Sequence, residues 1–330
     1  MIKVLVTGVG SLIGQGIVKS IKKSSIKYRI FGTDYFSSAV GLYWVDRGYI
    51  LPDILKSDIS EKVWLDYFCK ILIDNHIDIV LPGLDFEIPL LAKYKSLIEK
   101  KTQSKVVVSS ENVVNIANDK WKTVEYLKQN SFEYPKSTLP ENIEEFMTLC
   151  DYPYIVKPRF GHTSENVFLV KNNSELRDAL KRCDMPIVQE YLNKVDMEYT
   201  CGAVYMNEKV ISVISLRRIL KNGNTQIAFS EQADEINKYI TKITNKIKPT
   251  GPINFQLRMT DNGPVIFEIN PRFSGTTPIR EIFGINEVEA TIESILNYEI
   301  KIKQPIKKGV VIRYFEDQYI PLVEYEKFIE

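Results

Sequence analysis

The first hundred or so residues narrow the fold most. Short, nearly all-apolar runs, 3-KVLVTG-8, 28-YRIFGTD-34, 77-IDIVLPG-83 and 105-KVVVSS-110, are separated by stretches of helical character near 14–23, 62–75 and 86–100. A strand apolar on both faces must be covered on both, and strands joined through helices run parallel. The pattern predicts a Rossmann-like sheet sandwiched by helices. Beyond about Ser110 the style changes to α+β. A helical stretch, Asn118 to Gln129, leads to 152-YPYIVKPRF-160, 166-NVFLVKN-172, a helix from Ser174 to Arg182, and 186-PIVQEYL-192. Longer strands follow, 197-MEYTCGAVYM-206 and 209-KVISVISLRR-218, then a helix near Glu231 to Ile247 and a hairpin, 252-PINFQLRM-259 with 264-PVIFEIN-270.

Composition excludes several function classes. Lys+Arg 43 against Asp+Glu 42 leaves a net charge of +1, with no basic stripe to neutralise a phosphate backbone, so nucleic acid is not expected as a partner. No apolar run reaches the ~18 residues of a membrane span. The four cysteines, Cys69, Cys150, Cys183 and Cys201, lack metal or disulfide spacing, which suits a reducing cytoplasm. The opening 1-MIKVLVTGVGSLIG-14 lacks a cleavage pattern and is expected to be a strand and glycine turn rather than a leader.

The last hairpin carries chemistry. With Asp261-Asn262-Gly263 as a three-residue loop and Gly263 left-handed, Thr260 faces Pro264, Gln256 faces Glu268 and Asn254 faces Asn270. Phe255, Leu257, Met259, Val265, Phe267 and Ile269 then share the core face. The other face gathers Asn254, Gln256, Arg258, Glu268 and Asn270, with Ile266 the apolar exception. Such a face is either merely solvated or a site for a hard cation, which takes oxygen ligands from one or two carboxylates and from substrate phosphates. Pro271 stops the ladder, leaving Arg272 to project from the strand end toward a phosphoryl group.

Other residues favour the second reading. Lys157 and Arg159 end a strand beside Gly161, and Lys120 opens a helix; together they make a phosphate cradle, although each lysine alone reads as a surface charge. The stretch 186-PIVQEYLNKVDMEYT-200 reads on its own as an ordinary strand end; the alternative is that backbone groups from Glu190 to Leu192 bond a flat base and Glu198 accepts from ribose hydroxyls.

In sequence order, Lys120, Lys157-Pro-Arg159, Gln189-Glu190-Tyr191-Leu192, Glu198, Gln256 and Glu268-Ile-Asn270-Pro-Arg272 resemble the ATP-grasp superfamily, particularly its carbamoyl-phosphate-synthase-like branch. The resemblance implies a Rossmann-like pre-ATP-grasp domain (1–110), a two-lobed ATP-grasp domain (111–300, lid about 135–192) and a C-terminal extension (301–330) packed on the ATP-grasp core. It implies ATP with Lys120 and Lys157 on its phosphates, the backbone of Glu190 and Leu192 on adenine, and Glu198 on ribose. Mg2+, or Mn2+, would be held by Gln256, Glu268 and Asn270, with Arg272 steadying the γ-phosphate. The implied reaction converts a carboxylate to an acyl phosphate and couples it to an amine or similar nucleophile, giving ADP and phosphate. Small-molecule substrates are the expected partners, and a homodimer is compatible with the sequence. The loop 159-RFGHTSENV-167 has a single glycine, so the lid over the phosphates is assigned to His162, Thr163 or Ser164.

Positions for the second substrate are Gly10, Asp85, Glu87, Arg217 with its neighbour Arg218, Ser274, Gly275 and Arg280; the arginine pair reads equally as a solvated strand end. Asp85 and Glu87 serve equally well as caps of the helix that begins there. The alternative function is an NAD(P)-dependent epimerase or reductase, for which Gly8, Gly10, Gly14 and Asp34 nearly form the dinucleotide fingerprint, spaced G-x-G-x-x-x-G. Against it, the Tyr205-x-x-x-Lys209 pair straddles a turn at Asn207-Glu208 instead of lying on a helix.

Overall fold

The computed structural model describes residues 1–161, 166–298 and 306–329. Strands β1 (Ile2–Thr7), β2 (Tyr28–Asp34), β3 (Arg47–Ile50), β4 (Ile79–Leu81) and β5 (Lys105–Val106) form a parallel sheet in the order β3-β2-β1-β4-β5. Helices α1 (Leu12–Lys22), α2 (Glu61–Asn75) and α3 (Glu87–Thr102) cover it. Alternation along β1 explains the two apolar faces: Leu5 joins a core with Trp64, Phe68 and Leu91, whereas Val4 and Val6 join another with Ile17 and Val18. Strand β3 carries Arg47 and Gly48 in only four residues, too little pattern to be legible in the sequence.

The helix expected from Asn118 to Gln129 is α5 (Lys120–Gln129), and a helix not foreseen, α4 (Glu111–Asn118), precedes it. Asp119 between them is extended (φ −103°, ψ 111°), and its carboxylate caps α5 by accepting from the Trp121 N–H at 3.0 Å. Strands β6 (Ser137–Thr138), β7 (Tyr154–Pro158), β8 (Phe168–Val170) and β9 (Pro186–Glu190) form an antiparallel sheet ordered β6-β9-β7-β8. Against it lie α6 (Ile143–Leu149) and α7 (Asn173–Arg182), burying Phe146, Leu176 and Ala179 on Tyr154 and Val156.

The second antiparallel sheet, ordered β14-β13-β10-β11-β12-β15, contains β10 (Glu198–Met206), β11 (Lys209–Lys221), β12 (Asn224–Ser230), β13 (Gly251–Thr260), β14 (Gly263–Asn270) and β15 (Gly309–Ile312). One face buries the isoleucines 236, 240, 243 and 247 of α8 (Asp234–Ile247). Helices α9 (Thr277–Ile282) and α10 (Glu287–Ile295) return to the N-terminal domain, where Phe273, Val288 and Ile292 complete the core of Val4, Val6 and Ile17. That shared core holds the N-terminal strand ends against the last hairpin.

Two expectations need correction. A β-bulge after Gln256 leaves Phe267 unpaired and shifts the hairpin, so Thr260 faces Gly263, not Pro264, across a two-residue loop. The polar pairs Gln256–Glu268 and Asn254–Asn270 are nevertheless in place. Ile266 consequently turns into the core, fully buried, and Phe267 leaves it. Ile266 thus takes the core place that Phe267 gives up to the cavity wall. The C-terminal segment also divides its contacts. β15 pairs with β12, but Tyr325 and Phe328 pack on Tyr43 of the N-terminal domain, with ring centroids 6.4 and 5.4 Å apart. Among the described residues no helix is long and apolar enough to cross a membrane.

Candidate active site

A cavity of about 340 Å³ opens between the two antiparallel sheets. Ile155, Lys157, Gln189 and Glu190 contribute from the β6–β9 sheet; Glu198, Arg218, Gln256, Arg258, Phe267 and Glu268 contribute from the larger one. Leu192, Val167 and Leu220 add apolar surface, and Lys120 stands at one end.

Lys157 sits on β7, 8 % exposed, with Nζ 5.7 Å from the Phe267 ring centroid. Burial, reinforced by the Lys120 charge and partly offset by Glu268, pushes its ammonium down to about 8. No hydrogen-bond partner or ion pair satisfies it among the described residues. Lys120 donates from Nζ to the Gly161 carbonyl at 2.9 Å, and burial lowers its pKa despite the attraction of Glu268 and Asp119. Burial alone would raise the Glu268 carboxyl. The Asn270 amide, donating at 2.8 Å, and the charges of Lys120, Lys157 and Arg272 outweigh it and bring the pKa below the usual carboxylate range.

The rest of the wall is a network centred on Glu198. Its Oε1 accepts from Arg218 Nε and Nη2 at 3.0 and 2.7 Å, and its Oε2 from Arg258 Nε and Nη2 at 3.1 and 2.9 Å. Arg218 also donates to Gln256 Oε1 at 2.7 Å. Arg258 spans to the Leu192 carbonyl at 2.6 Å, while the Leu192 N–H has no hydrogen-bond partner among the described residues. Gln189 donates to Ser137 Oγ at 2.8 Å; Glu190 accepts from the Lys136 N–H at 2.7 Å, which ties β9 to β6.

Could these oxygens hold a divalent ion? Among the described residues no group of three or more His, Cys, Asp or Glu side chains exists that would cage a metal. Glu268 and Asn270 are adjacent, and Gln256 lies across the ladder with its oxygen already accepting from Arg218. One carboxylate with amide oxygens fits an ion shared with phosphates, not a self-sufficient metal centre.

Arg272 donates from Nε to Asp85 at 2.6 Å, joining the hairpin end to the loop after β4. Several other expected residues lie elsewhere. Arg159 turns away from the cavity and grips Asp119 with Nε and Nη2 at 3.0 and 2.6 Å. Tyr191 faces Arg258 at 5.6 Å and does not line the cavity. Arg217 pairs outward with Glu231 at 2.6 Å, because alternation along β11 sends Arg218 inward instead. Glu87 is neither cap nor ligand: fully buried, it accepts from Thr7 Oγ1 and from the Tyr35 hydroxyl (2.7 Å), and burial pushes it up to about 7. Arg280, 1 % exposed, is held by both oxygens of Glu287 at 2.9 and 3.0 Å, so it cannot receive a substrate from solvent. Ser274 and Gly275 line a second cavity with Asp85 and Arg272. His162, Thr163 and Ser164 lie outside the described residues.

The glycine turn is closed. Gly10 donates its N–H to Asp34 Oδ2 at 2.7 Å, and a methyl group at Gly10 would come within 2.6 Å of the Ala39 side chain. Asp34, which a dinucleotide would need for its ribose, is thus occupied by the turn itself. Sequence reasoning overlooked Phe267 and Arg313 as cavity-lining side chains, whereas Arg218 stood beside Arg217 as an expected carboxylate anchor.

Residues 117–276 match the sequence model of the ATP-grasp domain, and residues 4–107 that of the PylC-like N-terminal domain. The carbamoyl phosphate synthase large chain of Helicobacter pylori is 23% identical over 235 residues, covering 64% of this chain and 22% of that protein. This chain therefore spans about a fifth of that relative's length. Among solved structures, an ADP complex of N5-carboxyaminoimidazole ribonucleotide synthetase aligns with a TM-score of 0.75 at 13% identity, covering 94% of this chain and 81% of the other. The L-amino acid ligase of Bacillus licheniformis aligns at 0.69 and 17% identity, covering 92% and 77%. Residues 117–276 thus belong to the ATP-grasp domain family, and they follow a PylC-like N-terminal domain at residues 4–107.

Proposed function

We propose that the protein is an ADP-forming ligase that activates a small carboxylate as an acyl phosphate and couples it to an amine or similar nucleophile. The observation that carries this reading is the buried Lys157 ammonium with no acid bonded to it, facing the cavity shared with Lys120 and Glu268. A desolvated cation with its pKa brought down by burial is stabilised once an anion arrives, and a triphosphate supplies several charges at once.

In this reading the base lies in the slot of Ile155, Val167, Leu192 and Leu220, where the Leu192 N–H is available to a ring nitrogen. Glu198, whose acceptor positions are taken by Arg218 and Arg258, sets the slot's edge, and it accepts from ribose only where one of those arginines gives way. Lys120 and Lys157 neutralise the phosphates. Glu268, held ionised by its cationic neighbours, and Asn270 would hold Mg2+, and Mn2+ would suit the same oxygen set. When bound, the ion neutralises charge on the transferring phosphoryl group. A carboxylate oxygen bonds to the γ-phosphorus as the bridging P–O bond breaks, and ADP leaves with that electron pair. The nucleophile's lone pair then attacks the acyl carbon; phosphate leaves with the C–O pair and the amine proton passes to solvent. Arg272, anchored by Asp85, steadies the phosphoryl oxygens in both steps. This chemistry needs positioning and charge more than a general base. The four free cysteines fit a cytosolic setting.

The test is MgATP turnover with a panel of small acids and hydroxylamine as the amine. Acid-dependent ADP release with hydroxamate formation is expected. Nucleotide binding without ADP release across the panel would leave a binding module and overturn the ligase.

A further inference from the structure

The second cavity, about 280 Å³, shares Arg218, Gln256 and Glu268 with the first. Its other walls come from the closed glycine turn at Ser11, the β4 loop at Asp85, the β11–β12 turn at Thr225, Ser274, and Arg313 just past β15. Arg313 is fixed there by its backbone. Its N–H donates to the Gln226 carbonyl at 2.9 Å, and the Gln226 amide returns a hydrogen bond to the Arg313 carbonyl.

The three arginines of this cavity are partnered differently. Arg218 is paired with Glu198 and Arg272 with Asp85. Arg313 has no acid partner among the described residues: Nη2 donates to the Gly275 carbonyl, and Nη1 is buried with no partner at all. Burial lowers its pKa and no neighbouring charge offsets this. A desolvated guanidinium with one unused donor edge costs stability unless a ligand completes it, and a planar carboxylate matches that edge.

We propose that this cavity receives the phosphoryl acceptor, and that the acceptor carries two acidic groups: one presented to the phosphate at the Arg272 end, the other a carboxylate anchored by Arg313. The proposal rests on the ligase reading and adds a substrate class to it. Arg313 acts on specificity. It lies at the opposite end of the acceptor from the transferred group, so its loss should appear in KM for the acid more than in kcat.

The experiment compares diacids (malonate, succinate, glutarate, L-aspartate, L-glutamate) with counterparts lacking one carboxylate (propionate, butyrate, L-asparagine, L-glutamine), and 3-phosphonopropionate with succinate. ADP release and hydroxamate formation are measured with MgATP, for the full chain and for Arg313→Ala and Arg313→Lys. A diacid should exceed its counterpart by about tenfold or more in kcat/KM, the worth of one charge-assisted contact. In Arg313→Ala that gap should collapse through KM for the acid, with KM for ATP within about twofold of the parent, the change expected of a residue remote from the nucleotide. Arg313→Lys, which keeps the charge and loses the fork, should recover part of the gap. Unchanged KM values for ATP also report that the variants are folded. A preference for single acids, a gap that survives Arg313→Ala, or equal turnover of the phosphonate would overturn the diacid assignment and leave the ligase standing. If no acid in the panel releases ADP although MgATP binds, both readings fall.

Discussion

Two sets of cations in this molecule are partnered in opposite ways. Arg280 lies in a network in which Glu287, Asn254 and Thr200 take up both terminal nitrogens and neutralise its charge, only Nε being left without a partner, and Arg218 and Arg258 share Glu198. Lys157 and Lys120, a few strands away, have no bonded acid; Lys120 reaches only carbonyl oxygens, and Glu268 acts on both at a distance. A fold completes the charges it needs for itself and leaves incomplete those a ligand will complete. The difference separates architecture from chemistry more sharply than burial does, since each set mixes buried with half-buried side chains.

Perturbing the closed set should cost the most. Arg280→Ala strands the Glu287 carboxylate, and a stability loss of about 3–5 kcal/mol in denaturant unfolding is expected. A loss below about 1 kcal/mol would show that the network is not what fixes α9 against α10. In the open set, Glu268→Gln and Arg272→Ala should each lower acid-dependent ADP formation about 100- to 1,000-fold while the fold survives. Normal turnover in both variants would remove the site. A smaller, graded effect comes from pH. The Lys157 ammonium is depressed to about 8 from its ordinary 10.5, so the unfolded chain holds the extra proton between those values. Stability of the nucleotide-free protein should therefore rise as pH climbs through that window. Affinity for MgATP, which needs the charged form, should fall by up to about tenfold per pH unit. Lys157→Met should remove its share of both trends and leave only the share of Lys120, whose pKa burial also lowers. Least affected should be Arg159→Ala: its partner is Asp119, not the cavity, and a change in KM for ATP of no more than about threefold is expected. A loss as deep as that of Glu268→Gln would move Arg159 into the open set.

The Gln256–Glu268 and Asn254–Asn270 pairs were legible because hairpin alternation fixes which residues share a face. The bulge beside them was not, since nothing local distinguishes Phe267 from Ile266 as the residue to leave the core. Similarly, the adjacent Arg217 and Arg218 look alike in sequence, yet one is solvated against Glu231 and the other buried on Glu198. Arg280 read as a substrate anchor because its partner, Glu287, is brought to it only by the turn between α9 and α10. Glu87 read equally as a helix cap and as a substrate contact, because Thr7 on β1 and Tyr35 just past β2 come from far away in the chain.

By itself the sequence determined the parallel N-terminal sheet, the antiparallel hairpin with its oxygen-bearing face, and the order of the lysines and acids along the chain. These follow from periodicity and spacing, which are local. Which cations would be neutralised, which carboxylates would be buried, and that Arg313 would reach the cavity beside Glu268 were decided only in three dimensions. Charge pairing and desolvation depend on neighbours that the chain delivers from tens to hundreds of residues away.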